Sequence, residues 1–306
     1  MKPSISRRDV LAMTGGLALA AALPGRARAL GEVVLGQKKL SIVSDGNLVL
    51  PLDFVFPDPP RSELTDLLAA YNLPTDALYP DCNVTILRDA ERVVLFDVGS
   101  GHNFMPTAGR LLDNLAEAGI SPSDVTDVVF THAHPDHLWG LIDDFDELIF
   151  AEANYHIASA EWEFWLDEDT VNRMPEARRT FAVGAANRLP YLEDRVHLFA
   201  GGDEVLPGIE AVDTAGHTPG HVSFVVHEAG ESVMITGDAI TNVAVSFERP
   251  DWPSGSDQDT AMGAAARVRL LDRVVADGTS IVGFHLPHPG AGRVERKGTA
   301  YRFVAG

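Results

Sequence analysis

Residues His132–His137 read His-Ala-His-Pro-Asp-His, and the reading of this stretch governs the rest of the chain. It follows directly on the apolar run Val128-Val129-Phe130. A strand ending there delivers three imidazoles and a carboxylate to one point. Neutral imidazole with one or two hard oxygen donors is a ligand set suited to Zn²⁺. Gly140 stands just beyond and is expected to let the chain turn away.

One loop fills only part of a two-ion site, so the remaining ligands are expected downstream. Gly216-His217-Thr218-Pro219-Gly220-His221 follows the strand-like Ile209–Asp213. Ser232–Ile235 leads to Gly237-Asp238, and Ile281-Val282-Gly283-Phe284 leads to His285. Each candidate stands at or just beyond the end of a predicted strand, where a sheet edge presents side chains to a shared cleft. Asp97 closes another apolar run, Leu95-Phe96. His285 and His288 compete for the last position. His285 ends the run and is preferred, whereas His288 lies between Pro287 and Pro289 and is assigned to the pocket wall. His102, His156, His197 and His227 read as surface or hydrogen-bonded core histidines.

In these motifs and their order the chain resembles the metallo-β-lactamase superfamily of metallohydrolases, over about residues 40 to 303. The resemblance implies an α/β fold, a four-layer αββα sandwich with the metals at one edge between two sheets, forming a single domain over residues 30–306. It implies two Zn²⁺ per chain. The first takes His132, His134 and His217, and the second takes Asp136, His137 and His285. Asp238 bridges them, and turnover depends on the carboxylates Asp136 and Asp238. Asp97 and His221 stand just behind the ligands. A hydroxide shared by the metals is the implied nucleophile, since two ions roughly 3.5–4 Å apart lower the pKa of their water toward ~7. No Gly-x-Ser-x-Gly elbow occurs.

The substrate class is narrowed by absences. Zinc β-lactamases of the main class carry Cys where Asp238 stands, and the long insertions of the RNA-processing branch are missing. The segments Gly283–Val294, Gly298–Phe303, Thr107–Leu111 and Ala160–Trp165 resemble the exported branch of methyl parathion hydrolase-like enzymes and lactonases. That branch implies a small, neutral, fairly apolar lactone, aryl ester or phosphotriester. Trp139, Trp162 and Trp165 are expected, with His288, to wall its pocket. Three alternatives stay open: a β-lactamase, a glyoxalase II-like thioester hydrolase, and a mononuclear iron dioxygenase, which needs only two His and a carboxylate.

The formal charge of the chain is −20, which repels nucleic acid and anionic lipid. Cys82 is the only cysteine, so no intrachain disulfide forms, and it reads as a small core residue. Ser6-Arg7-Arg8-Asp9-Val10-Leu11, the apolar stretch to Leu23 and Ala27-Arg28-Ala29 read as a twin-arginine export signal cleaved after Ala29. The expectation is a periplasmic protein with no membrane insertion after cleavage. Homodimerisation is left open.

Between the motifs, Val84–Leu87 and Val93–Phe96 are expected to pair as a hairpin. Leu48–Pro51 reads as strand. Leu64, Leu67, Leu68 and Tyr71 mark one helical face, and Leu111, Leu112 and Leu115 mark another on a helix that Gly119 ends. Residues 159–195 break the strand rhythm. A helix from about Asp257 to Ala276 is expected before the last strand.

Overall fold

The computed structural model describes residues 31–306. The expected export signal lies outside the described residues. Two seven-stranded sheets stack face to face. The first has the order β1 (Gly31–Leu35), β2 (Lys38–Asn47), β5 (Asp81–Arg88), β6 (Val93–Phe96), β7 (Asp127–Val129), β8 (Asn154–Ala158) and β9 (Val196–Phe199). The second runs from β10 (Glu204–Leu206) through β11 (Ile209–Asp213), β12 (Val222–Glu228), β13 (Glu231–Ile235), β14 (Ser280–Val282) and β15 (Ala291–Lys297) to β16 (Ala300–Ala305), in sequence order. A small ribbon pairs β3 (Leu50–Pro51) with β4 (Ala77–Leu78).

Strands β6 to β9 run parallel, and so do β13 and β14. Parallel neighbours need a crossover. Helix α3 (Leu111–Glu117), the short α4 (Pro135–Leu138), and the group α5 (Ser159–Leu166), α6 (Thr170–Arg173) and α7 (Arg179–Ala186) supply those of the first sheet. The apolar residues of α1 (Leu52–Val55), α2 (Arg61–Ala70) and α8 (Val245–Glu248) form one cluster with Leu78 of β4. Helix α9 (Thr260–Asp277) crosses from β13 to β14.

The alternation along the strands fixes the layers. Leu40, Ile42, Val94, Phe96 and Val129 of the first sheet meet Phe224, Val226 and Ile235 of the second; the Phe96 and Phe224 rings are 5.5 Å apart. The opposite faces pack on helices. Val84, Ile86 and Leu95 join Leu111, Leu115, Trp165 and Ala182, and Met234 and Ile281 join Leu270, Leu271 and Val274 of α9. The αββα sandwich follows.

Some local expectations shift. Val93–Phe96 does pair antiparallel with β5. Leu112 leaves the buried face of α3 and is 43% exposed, whereas Leu111 and Leu115 are buried. Successive helix positions lie about 100° apart, so a stripe that keeps Leu111 and Leu115 loses Leu112. Only Leu50–Pro51 of the expected strand 48–51 is strand. Helix α9 begins at Thr260, because Asp259 caps it by accepting from Met262 N at 2.9 Å. It ends at Gly278 in the left-handed region (φ 65°). Three strands follow it, since residues 291–305 fold back as a hairpin.

Candidate metal centre

The chemistry-bearing residues gather where strands end. His132–His137 follows β7 and crosses α4; His217 follows β11; Asp238 follows β13; His285 follows β14. All lie on one edge of the stacked sheets, as open α/β sheets place ligands beyond the carboxyl ends of their strands. Their donor atoms form two groups, each within 4.8 Å: His132, His134 and His217, and Asp136, His137, Asp238 and His285. Asp238 spans them. Its Oδ2 is 3.2 Å from both His217 Nε2 and His285 Nε2, and its Oδ1 is 3.2 Å from His137 Nε2. Asp136 Oδ2 lies 3.2 Å from His285 Nε2.

Four of the five rings are aimed by a partner on the other nitrogen. Nδ1 of His137 meets Asp97 Oδ2 at 2.8 Å, that of His217 meets Asp257 Oδ1 at 3.0 Å, that of His285 meets the Asp81 carbonyl at 2.9 Å, and that of His132 meets Thr131 Oγ1 at 3.0 Å. These four therefore present Nε2 to the cluster. His134 presents Nδ1 instead, 3.0 Å from His132 Nε2 and 2.9 Å from His217 Nε2. Partners of this kind set tautomer and ring orientation. Asp97 itself adopts φ 64° and accepts from Thr131 N and Thr131 Oγ1, both at 2.8 Å. Left-handed backbone at a non-glycine residue is strained and is sustained by such bonds.

His221 stands outside the two groups. Its Nδ1 meets Thr214 Oγ1 at 2.8 Å, and its Nε2 accepts from the backbone N–H of Asp238 at 2.9 Å. Burial, aided by His217, pushes its pKa down to about 3, so the ring is neutral and free to accept. It holds Asp238 in place from behind.

The donor set fits divalent cations. Asp136 Oδ2, His137 Nε2 and Asp238 Oδ1 are sealed from solvent and lack a hydrogen-bond partner; such buried atoms are costly unless something satisfies them. Charge balance points the same way. Burial disfavours imidazolium at His137 and His285, yet Asp238 and Asp136 outweigh it and raise both pKa values well above the usual range. Burial and neighbouring imidazoles push His132 and His134 well below it. The carboxylates thus call for positive charge at the seam while one face of the cluster offers neutral nitrogen, as metal ligation requires.

Sequence reasoning missed three buried charged residues at the site. Glu161 of α5 is fully buried; Oε1 accepts from Ala133 N (2.9 Å) and Trp165 Nε1 (2.5 Å), and Oε2 accepts from Thr218 Oγ1 (2.6 Å) and Gly220 N (3.0 Å). One carboxylate therefore ties the His132–His137 loop to the His217 loop. Asp257, besides His217, binds Arg267 of α9 at 3.0 Å. Arg267 also donates to Ala239 O, next to Asp238. The third is Arg178, on the cavity wall. Each sits in a charged or helical stretch with no motif; only the adjacency of Glu161 to the quoted Trp162 and Trp165 offered a signal.

Above the cluster opens a cavity of about 150 Å³. His134, Asp136, His217, Asp238 and His285 form its floor, and Leu50, Phe54, Leu73, Leu78, Phe104 and Phe181 dominate its walls. The expected aromatic wall is different: Trp139, Trp162, Trp165 and His288 are not among its lining residues. Trp165 is core and bonds Glu161. Trp139 packs behind Phe104, with ring centres 5.5 Å apart, and Trp162 packs against the same core. His288 Nδ1 meets Asn83 Oδ1 at 2.7 Å. The tryptophans pack into the core behind the first sheet, and the wall comes instead from Leu50 and Phe54 before the helical face read at Leu64–Tyr71, Leu73 and Leu78 after it, and Phe104 and Phe181. Gly140 also has another role: a Cβ there would lie 2.1 Å from Val98 O, so close backbone approach, not a turn, requires glycine.

Comparison with known proteins agrees with this architecture. The N-acyl homoserine lactonase of Bacillus thuringiensis is 26% identical over 166 residues, 54% of this chain, and the match spans 58% of that lactonase's length. The hydroxyacylglutathione hydrolase GloC of Haemophilus influenzae is 26% identical over 202 residues, 65% of this chain and 82% of its own length. Among solved structures, AidC, described as a dizinc quorum-quenching lactonase in complex with a product, superposes with a TM-score of 0.85 at 25% identity, covering 90% of this chain and 97% of AidC. The hydrolase AbOPH superposes with a TM-score of 0.83 at 25% identity and the same coverage. The model of the metallo-beta-lactamase superfamily matches residues 80–284, and with the two ligand groups at its sheet edge the chain belongs to that superfamily.

Proposed function

We propose that the protein is a dinuclear zinc hydrolase of small, neutral, ester-like substrates, lactones foremost. The observation that carries the reading is the position of the paired His/Asp groups as the floor of an apolar cavity. His132, His134 and His217 would hold one ion, and Asp136, His137 and His285 the other, with Asp238 between them. When bound, the two ions supply Lewis acidity and a water acidified enough to act as nucleophile near neutral pH. The chain's own residues do the rest. Asp97, Asp257 and the Asp81 carbonyl hold three of the imidazoles in register. Glu161 keeps the two ligand loops at a fixed separation. Phe54, Phe104 and Phe181 exclude bulk water and take an alkyl or acyl chain. The lactone-acting relatives and AidC's dizinc site support the substrate class and the metal.

No side-chain nucleophile enters this scheme, so hydrolysis proceeds without an acyl-enzyme. The twin-arginine pattern read in residues 1–29 of the sequence supports a periplasmic setting for the reaction. Metal analysis of purified protein, followed by a comparison of kcat/KM on a γ-lactone, naphthyl acetate and a methyl phosphotriester against a glutathione thioester and a penicillin, tests it. About two zinc per chain and highest kcat/KM on one of the first three substrates is expected. One iron per chain would indicate a dioxygenase. Preference for the thioester or the penicillin, or a burst of product, would overturn the reading.

A further inference from the structure

A second cavity, of about 430 Å³, adjoins the one above the metal cluster. Phe54 and Arg178 line both, so this pair stands on the boundary between them. Arg178 lies in the single turn Glu176–Arg178 that leads into α7, and only 7% of its surface is exposed. Its Nη2 donates to Gly255 O, and its guanidinium rests over the Phe54 ring, 5.2 Å from the centre. Among the described residues it makes no ion pair. Nε and Nη1 have no hydrogen-bond partner, yet neither is sealed from solvent, so both open onto the spaces that the residue lines. Burial lowers the pKa of Arg178 from the usual arginine value, and nearby Asp257 offsets only part of that. A buried cation without a counter-charge is costly, and an oxyanion on its free N–H groups removes that cost. Nothing in the hydrolytic scheme above uses Arg178.

The side chamber suits an anion better than the catalytic cavity does. Asp81, Asp136 and Asp238 line the catalytic cavity. The one carboxylate that lines the side chamber, Asp257, is already taken by His217 and Arg267. A second guanidinium, that of Arg173, also lines it and pairs with Asp167. Phe54, Phe164, Met174 and Ala177 supply apolar wall, which fits an alkyl or aryl group attached to the anion. The formal charge of −20 opposes the arrival of anions from bulk solution. Hydrolysis of an ester or lactone makes a carboxylate from a neutral substrate inside that barrier, just across Phe54 and Arg178.

We propose that the side chamber is a binding site for an apolar carboxylate, the form in which the acyl half of a neutral ester leaves hydrolysis, with Arg178 donating to the carboxylate oxygens. The source of the carboxylate rests on the ester reading above, whereas its binding rests on the chamber alone.

An NMR titration of the zinc-loaded protein tests it, with octanoate as the probe and octanamide as its uncharged counterpart. Octanoate is expected to shift the backbone amides of Met174, Ala177 and Gly255 on one saturable curve, and to bind there about tenfold more tightly than octanamide. Arg178→Met is expected to lose that advantage, binding octanoate about tenfold more weakly and octanamide as before, with Arg178→Lys between. Shifts confined to the loops around His132–His137 and His217 would mean that the carboxylate meets only the metals, and would overturn the proposal. So would equal affinity for the two probes, or undiminished octanoate binding by a folded Arg178→Met. If that variant does not fold, Ala177→Trp decides, because Ala177 is exposed and lines the side chamber but not the catalytic cavity. The added ring is expected to weaken octanoate binding about tenfold, and unchanged binding would refute the site. Octanoate held in the chamber of a protein that hydrolyses no ester would sink the hydrolase reading and leave the site standing. Ester turnover without binding in the chamber would do the reverse.

Discussion

Asp238 is the side chain whose two oxygens face both ligand groups, at 3.2 Å from His137, His217 and His285. Asp238→Ala should therefore lower zinc content from about two toward one per chain and reduce kcat at least 1,000-fold, on the order of one lost electrostatic element of the site; two tightly held zincs and a normal rate would contradict the assignment. Asp136 faces only the second group, 3.2 Å from His285. In Asp136→Ala the three-His site should stay loaded while the other empties, read by metal analysis across a chelator titration. The two terminal histidines separate as well. His285 Nε2 lies 3.2 Å from both carboxylates, whereas His288 meets Asn83 and does not line the cavity. His285→Ala should abolish turnover and His288→Ala should retain most of it. The reverse pattern in steady-state assays would mean that the wrong histidine carries the metal. The seven clustered residues were legible because each lies at or just past a strand end. Their aiming partner Asp257 was not, because it lies 40 residues from His217 in a stretch that reads as helix start.

The contact between the His217 loop and α5 is a contact between whole elements. A Cβ at Gly220 would lie 2.1 Å from the backbone N of Glu161, far inside van der Waals contact, and backbone cannot yield cheaply. Gly220→Ala should push the loop off α5, break the Glu161 bonds and weaken zinc binding at the three-His group more than at the other; unchanged metal affinity in both sites would refute the coupling. A second inter-element tie lies at the far side. Tyr71, after α2, donates to Glu248 of α8 at 2.5 Å, and Lys297 of β15 pairs with the same carboxylate. Burial opposes ionisation of Glu248, yet Lys297 and Tyr71 hold its pKa below the usual range. Its contribution is present above the unfolded value of about 4.3 and fades as pH falls through the lower folded value. Burial and the Glu248 carboxylate push Tyr71 up to about 12, so its contribution is full below about 10 and lost as pH rises toward that value. Tyr71→Phe should cost about 1 kcal/mol between pH 6 and 9, with the difference narrowing at both extremes. Urea denaturation across pH reads this directly, and a pH-independent difference would count against it.

At the scale of the molecule, the cluster joins the two sheets only through side chains that belong to neither core. Phe96, Phe224 and their neighbours hold the sheets together by burial, whereas the metal edge gathers acidic and imidazole groups that repel or strand one another without cations. Chelation should lower Tm by roughly 10 °C, as for a ligand saturating at about 1,000-fold above its Kd. Re-addition of zinc should restore it. An unchanged melting temperature in calorimetry would mean that the folded state does not depend on the ions.

The sequence by itself determined the class of fold and the metal-ligand candidates, because strand alternation, strand-end placement and ligand spacing are local properties that survive without tertiary context. The tight grouping of seven donors was implied by their motifs. Helix faces were legible to within a residue or two; Leu112 shows the limit, since three leucines within five residues do not state which one turns outward. Only tertiary structure decided the cavity. Its walls come from Leu50, Phe54, Leu73 and Leu78, Phe104 and Phe181, brought together from distant segments, while the tryptophans nearer to the motif in sequence turned into the core. Tertiary structure also buried Glu161 and placed Arg178 on the wall. A buried carboxylate or guanidinium has no signature in one chain, because its meaning depends on donors, acceptors and apolar surface supplied from tens of residues away.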